Sequence, residues 1–396
     1  MNNYDRFNEK RILIWGFGRE GKSTRQFLEK YCKCASVDVF EGKREDINED
    51  AYDFIVKSPG IVMDDDDPKY TSQTQIFLEN FRNNTVGITG TKGKSTTSSL
   101  LYHVLKEAGR KCLLLGNIGE PCLDHFGEID DETIVVFEMS CHQLAHISVS
   151  PHIAVFLNLF EEHLDYYKTF DRYFAAKANI TKFQTKDDLL FVGKNVPALE
   201  TKAGRQTIDP KNVPGYDLAI LGHHNDYNAH FVYEIASKVY GVPDDVIRKA
   251  LSGFTGLAHR LQFIGTKNGI ACYDDSISTI PSATIEALSC VPNAQTVIIG
   301  GMDRGINYDD LIAYVNTHDM FNYIFAYESG KRIYEGINRT DNCYCVEDLE
   351  KAVELAMKIT QSGHALVLSP ASASYGYFKN FEERGDKFRM LCGLDA

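Results

Sequence analysis

The sequence predicts an α/β protein of three domains: a Rossmann-like N-terminal domain, a central P-loop mononucleotide-binding domain and a C-terminal Rossmann-like domain. Three observations carry this. Short apolar runs are followed again and again by a polar turn and then by a helical pattern. Two of those turns are glycine loops of nucleotide-binding type, Gly16–Gly21 and Gly90–Ser95. The third is length, since 396 residues exceed what one core usually holds.

The second glycine loop organises the chain. Thr85-Val86-Gly87-Ile88-Thr89 reads as a strand, and Gly90, Thr91, Lys92, Gly93, Lys94, Ser95 and Thr96 follow it into a helix. Such a loop aims backbone N–H groups at phosphate oxygens, and the helix N-terminus adds partial positive charge. Lys94 reaches toward outer phosphates, and the Ser95 hydroxyl suits Mg²⁺. The match is to a shortened template, because Ile88 stands where the strict eight-residue motif has its first glycine. The alternative is an ordinary strand–helix turn.

Composition narrows the class. Lys and Arg number 42 against 55 Asp and Glu, a net charge of −13, which disfavours nucleic acid as a partner. No apolar run is long enough to span a bilayer, and the polar start (Asn2, Asn3, Asp5, Arg6) is unlike a signal peptide. The ten cysteines are scattered, with two C-x-C pairs and no C-x-x-C. Reduced thiols in a cytoplasmic protein are therefore expected, in preference to a zinc site.

In chain order, Arg11–Trp15 reads as a strand, the first glycine loop follows, and a second strand ends near Asp38. This is either a nucleotide site or a tight β–α turn. Phe54-Ile55-Val56 is a further strand with the loop Ser58-Pro59-Gly60 at its end, and the acidic run Asp64–Asp67 reads as a solvated loop. Asn80–Asn84 looks like a linker, giving a first domain of residues 1–83. The central domain, 84–257, adds the turn Gly116-Asn117-Ile118-Gly119 and the strand Thr133–Phe137 running into Glu138-Met139-Ser140-Cys141-His142-Gln143. A carboxylate at a strand end beside a phosphate loop is where Mg²⁺ finds oxygen ligands. Ile153–Leu157 then runs into Glu161-Glu162-His163, with Lys177 on a following helix. Taken singly, Glu138 reads rather as a capping acid, His163 as a core histidine and Lys177 as a surface lysine. Asn225 and Asn228 fall one helical turn apart on one face. Residues 258–396 return to α/β, with strands near 271–273, 296–299, 323–326 and 365–368. Polar turns at Asp274–Ser276, Gly300–Gly305 and Ser369–Ser374 follow three of them.

Together these stretches resemble the Mur ligases, over nearly the whole chain and in order. The resembling pieces are Thr89–Ser95, Gly116–Gly119, Glu138–Leu144, Glu161–Asp165, Gly256–Arg260 and the ending Leu368–Phe388. The ending is similar to that of the glutamate-adding branch. The resemblance implies an ATP-dependent amide ligase that activates a carboxylate as an acyl phosphate. It implies small-molecule partners: UDP-MurNAc-L-Ala, glutamate and ATP. Gly18, Arg19, Glu20, Asp38, Ser58, Gly60 and Asn117 would meet the UDP-sugar, and Asn225, Asn228, Arg260 and Asp275 would join the loop in holding ATP. Thr279, Arg304, Ser374 and Phe381 would hold glutamate. Two Mg²⁺ ions would be held by Ser95, Glu138, His163 and a carbamylated Lys177. A monomer is expected.

Three departures stand out. Ile277 replaces a basic residue of the family, as in a subfamily that takes L-glutamate. Lys92 replaces an asparagine, and the stretch between Lys177 and Gly222 is short, so central strands are expected to be missing. Rival readings are a folylpolyglutamate synthase-like ligase, disfavoured by the C-terminal ending, and an inactive nucleotide-sugar sensor, disfavoured by retention of Lys94, Glu138, His163 and Lys177.

Overall fold

A computed structural model describes residues 3–63, 67–162, 164–222 and 224–394. The acidic residues Asp64, Asp65 and Asp66 and the candidate ligand His163 lie outside the described residues. Three sheets are present, of four, six and six strands. One compact unit comprises Met1–Asp217 with His224–Ser252, and the other Leu218–His223 with Gly253–Ala396.

The first sheet contains β1 (Arg11–Trp15), β2 (Ser36–Phe40), β3 (Phe54–Lys57) and the two-residue β4 (Tyr70–Thr71), in the order β2-β1-β3-β4. All its pairings are parallel. Parallel pairing needs crossovers, and the helix Arg19–Tyr31 supplies the first directly after the glycine loop. The second sheet holds β5 (Thr85–Thr89), β6 (Cys112–Gly116), β7 (Ile134–Glu138), β8 (Ile153–Phe156), β9 (Leu189–Gly193) and β10 (Gly204–Ile208), ordered β10-β9-β8-β5-β7-β6. Its central strands are buried on both faces, which is why Val135-Val136-Phe137 and Ile153–Phe156 are unbroken apolar runs. These two sheets share an apolar core in which Ile14, Phe27, Phe77, Phe126 and Phe137 are buried.

The proposed first linker is ordered structure. Asn80 lies in the helix Gln73–Phe81, and a 3-10 turn Arg82–Asn84 leads straight into β5. Arg82 ties this turn down by donating to Ser150 O (3.0 Å) and to Asp188 Oδ2 (2.6 Å).

The second unit holds β11 (Gln262–Lys267), β12 (Ile270–Asp274), β13 (Ala294–Ile299), β14 (Asn322–Ala326), β15 (Cys343–Val346) and β16 (Ala365–Leu368), ordered β11-β12-β16-β13-β14-β15. Only the β11–β12 pairing is antiparallel. Alternate residues feed two cores, one with Val297, Ile299, Phe325 and Val367, the other with Ile298, Ile324, Leu366 and Leu368. That is the period of a strand packed on both faces.

Among the described residues no helix is long and apolar enough to cross a membrane. All ten cysteines are free thiols.

Phe137 is fully buried, with its ring 5.3 Å from that of Phe77. Phe137→Ala should therefore cost about 3–5 kcal/mol of stability. The check is the urea midpoint of Trp15 fluorescence, since Trp15 is the chain's one tryptophan and lies in the same unit.

Candidate active site

The centre of the first unit is the loop between β5 and the helix Lys94–Glu107. The first N–H groups of a helix have no intrahelical partners, so here they face the loop's concavity. Gly90 and Gly93 have φ of +157° and +82°, a region that suits glycine. A Cβ at Gly93 would also overlap the Asn228 amide. Asn228 and Asn225 are both buried, and Asn228 Nδ2 donates to Asn225 Oδ1 (2.9 Å). The pair thus lies against the phosphate loop.

Two lysines, Lys177 buried and Lys94 half-buried, converge on one carbonyl. Lys94 Nζ donates to Gly90 O and Thr91 O, both at 3.0 Å, and Lys177 Nζ donates to Gly90 O at 2.8 Å. Burial lowers the Lys94 pKa, opposed chiefly by the negative charge of Glu138. Lys177 is 1% exposed; burial first, and the charge of Lys94 second, bring its pKa down to about 7. The surface-lysine alternative is thereby excluded.

Glu138 ends β7, in register with Ile88 of β5 and Gly116 of β6. Asn117 Nδ2 donates to its Oε1 (2.6 Å), while its Oε2 is buried with no hydrogen-bond partner. A buried carboxylate oxygen left open is expensive unless something completes it. It does not act as a helix cap, because Ser140 and Gln143 form the capping box of the next helix. Asn117, expected on the substrate, here holds the carboxylate.

These donors suit Mg²⁺. That ion keeps several waters and takes few protein oxygens alongside phosphate. Ser95 in the first helical turn and the open oxygen of Glu138 fit it. Among the described residues no group of three His, Cys, Asp or Glu could hold a metal alone.

Asn158 carried no assignment from the sequence, yet it clamps the loop. Lys92 N–H donates to its Oδ1 (2.8 Å), and its Nδ2 donates to Lys92 O (3.0 Å). Its position just beyond a buried strand was the available signal. The Lys92 side chain turns outward and pairs with Glu162 at 3.0 Å.

At the first glycine loop, Gly16 has φ +91° and a Cβ there would lie 2.6 Å from Ser58 Oγ, which donates to Gly16 O (3.1 Å). Ser58 therefore braces the turn. Gly18 and Gly60 have open space where a Cβ would stand, so ligand atoms can approach. Arg19 donates to Gly119 O (3.2 Å), which brings it to the Asn117 turn. Glu20 accepts from Gln143 Nε2 (2.9 Å), and burial raises its pKa. Asp38 is exposed on β2. Lys57 carried no assignment either: it is buried, donates to Ile61 O (3.0 Å), and burial brings its pKa down to about 8, opposed by Glu20.

In the second unit, Asp275 is buried and pushed up to about 6 by that burial. It accepts from Leu261 N–H (3.1 Å) and Ser369 Oγ (2.8 Å), beside Arg260 in sequence. The turn carrying Arg304 is held on the serine-rich turn by Gly300 N–H to Pro370 O and Met302 N–H to Ala373 O, both 2.8 Å. Arg304 is exposed and donates to Thr279 O (3.5 Å). Ser374 is buried in the serine-rich turn, and Phe381, whose carbonyl accepts from Ser276 Oγ (2.8 Å), opens the last long helix. Arg384 had no assignment and is 1% exposed. It donates to Ser276 Oγ, Ser276 O and Ser372 O, pinning both turns.

A phosphate-binding loop with an open carboxylate beside it, on a sheet of this order, defines an ATP-dependent α/β enzyme. A family model described as the Mur ligase middle domain matches residues 88–209. A UDP-N-acetylmuramoylalanine–D-glutamate ligase of Streptococcus agalactiae serotype III (strain NEM316) is 32% identical, over 98% of this chain and 98% of its own. The MurF ligase of Thermotoga maritima, crystallised with ADP, has the same fold at a TM-score of 0.58 and 18% identity, covering 89% of this chain and 92% of its own. The UDP-N-acetylmuramate–alanine ligase of that organism aligns at 0.57 and 17%, covering 96% and 98%. The chain belongs to the Mur ligase family, among relatives named as D-glutamate ligases.

The sign of the Lys57 effect is testable. Its folded-state pKa of about 8 lies below the unfolded value of 10.5, so between those values the unfolded chain binds more protons. Stability contributed by Lys57 therefore rises with pH across that window. Relative to Lys57→Met, wild type should gain urea resistance from about pH 8 to about pH 10 and show a level difference below about pH 7.

Proposed function

We propose that the protein joins glutamate to UDP-MurNAc-L-Ala through an amide bond, using ATP and an acyl-phosphate intermediate. The observation that carries this is the meeting of Lys94, Lys177 and Glu138 at the Gly90 loop, in a chain that matches D-glutamate ligases from end to end. The reading includes three domains, 1–83, 84–257 and 258–396, for the UDP-sugar, ATP and glutamate respectively. It also includes a monomeric, cytoplasmic enzyme acting in peptidoglycan precursor synthesis.

A carboxylate is a poor electrophile, so the γ-phosphoryl group is moved onto it, after which the glutamate amine attacks and phosphate leaves. Phosphoryl transfer depends mainly on positioning and charge neutralisation. Lys94 swings from its loop carbonyls to the transferring phosphoryl, and the helix N–H groups hold the other phosphates. Ser95 and Glu138 would hold one Mg²⁺, which would supply Lewis-acid charge at the phosphates. His163 and Lys177 would serve a second. Lys177 suits this only as a carbamate, and its pKa of about 7 leaves much of the amine neutral and able to react with CO₂. Arg304 pairs with one glutamate carboxylate, Ser374 takes the other, and Phe381 walls the pocket. We favour D-glutamate, in line with the named relatives. The L-enantiomer is the second reading, motivated by Ile277.

Phosphate release with UDP-MurNAc-L-Ala and each glutamate enantiomer tests this directly, and no turnover with either would reject it. Lys94→Ala should lose at least about 100-fold in kcat, and activity near wild type would remove the loop from the mechanism. Lys177→Ala should be nearly inactive and recover in part with added short-chain carboxylates, which replace the carbamate oxygens. Arg304→Ala should raise the KM for glutamate far more than that for ATP; the reverse pattern would move Arg304 to the nucleotide site.

A further inference from the structure

The first glycine loop and the catalytic turn are joined by one buried polar bridge whose members the mechanism above does not use. Glu20 stands two residues beyond Gly18, in the first turn of the helix Arg19–Tyr31. Its Oε1 accepts from Gln143 Nε2 at 2.9 Å, while its Oε2 is buried without a hydrogen-bond partner. Gln143 has two further bonds. Its Oε1 accepts from Ser140 N–H (3.0 Å), and its own N–H donates to Ser140 Oγ (3.2 Å). Ser140 lies two residues after Glu138, and Met139 between them is fixed on both sides. Met139 N–H donates to Ile88 O (2.9 Å), and Met139 O accepts from Thr89 Oγ1 (2.8 Å).

A carboxylate beside a loop meant for a diphosphate is electrostatically wrong for a ligand contact, since like charges repel. Its geometry answers this: Glu20 points at an amide of the catalytic turn, and the positive charge of buried Lys57 favours its ionised form. Lys57 itself donates to Ile61 O, at the end of the Ser58-Pro59-Gly60 loop. The two charges thus link the loops expected around the nucleotide-sugar to the turn that aims Glu138.

We infer that Glu20 is a positioning residue rather than a substrate contact. It fixes the Gln143 amide, and through the Ser140 turn it fixes Glu138, with Lys57 holding its charge inside the fold. The inference rests on the proposed ligase reaction for its kinetic test, and on hydrogen exchange for a test independent of that reaction.

Two variants separate bond from charge. Glu20→Gln keeps an oxygen for Gln143 and loses the charge; Glu20→Asp keeps the charge and is one methylene too short. Glu20→Gln should hold kcat within about threefold, while Glu20→Asp should lower kcat about tenfold or more with the KM for UDP-MurNAc-L-Ala changed less than about threefold. In a Gln143→Ala background, Glu20→Asp should have no further effect on kcat. In the ligand-free protein, amide exchange across residues 139–144 should quicken in Glu20→Asp and stay as in wild type in Glu20→Gln. A raised KM for the nucleotide-sugar with unchanged kcat would make Glu20 a substrate contact and overturn the inference. So would a full additional loss in the Gln143→Ala background, or unchanged exchange in Glu20→Asp. If wild type makes no amide product, the proposed reaction fails, and the exchange experiment still decides the role of Glu20.

Discussion

The constraint on which the first unit depends is the Gly90 carbonyl, which accepts from two ammonium groups at once, one buried and one half-buried. Withdrawing an ammonium group from water is costly, and the cost appears as lowered pKa values at both Lys94 and Lys177, with the charge of Lys94 adding to burial at Lys177. What offsets it at Lys94 is chiefly the negative charge of Glu138. Glycine at 90 and 93 lets the backbone turn the Gly90 and Thr91 carbonyls toward the lysines while Thr91 N–H donates to Asn158 O (3.0 Å). Asn158 then locks the chain at Lys92 from both its N–H and its C=O. A loop braced in this way would meet the proposed phosphate with little rearrangement, which is the condition for strong electrostatic stabilisation of developing charge.

The same requirement explains why strand ends matter more than strand interiors here. Glu138, Asn158 and Ser58 each follow or end a parallel strand, and the interiors are apolar filler buried on both faces. Parallel sheets bring successive carboxyl ends to one edge, so residues far apart in sequence become neighbours there. Asn117 and Glu138 are such a pair, 21 positions apart in sequence and hydrogen-bonded at 2.6 Å.

Legibility in the sequence followed burial. Strands packed on both faces, such as Arg11–Trp15, Ile153–Phe156 and Ala365–Leu368, stood out as apolar runs. Gly204–Ile208 did not, because it is an edge strand with only Ile208 buried and reads as Gly-Arg-Gln-Thr-Ile. With that strand present the central sheet has six strands, despite the short stretch after Lys177. Gln262–Lys267 was hidden in the same way, as an antiparallel edge strand of largely exposed residues. At the site, Lys94 was visible from its loop motif, and Glu138 only through the ordered set of motifs taken together. Residues that act by holding another group were not. Nothing in the letters Asn158, Lys57 or Arg384 shows that each is buried and bonded to a loop. A side chain's partners across the fold are a tertiary fact, and local patterns do not carry them.

Lys57, Lys94 and Arg384, each largely withdrawn from solvent, fall into two kinds. Lys57 and Lys94 each donate to carbonyls of the loop they adjoin, Ile61 in one case, Gly90 and Thr91 in the other. A carbonyl dipole is a weaker partner for an ammonium group than a phosphate oxygen carrying charge. Burial lowers the pKa of both lysines, and a carboxylate opposes it in each case, Glu20 at Lys57 and chiefly Glu138 at Lys94. Arg384 differs. Its guanidinium donates from all three nitrogens to two serine-bearing turns, so its donors are spent on structure. Arg304, by contrast, is exposed and makes one long contact of 3.5 Å. In the second unit the buried cation builds the turns, while Arg304 keeps donors that the proposed glutamate site would use. In the first unit Lys94 closes its own loop, and the proposed reaction would require it to leave those carbonyls for phosphate.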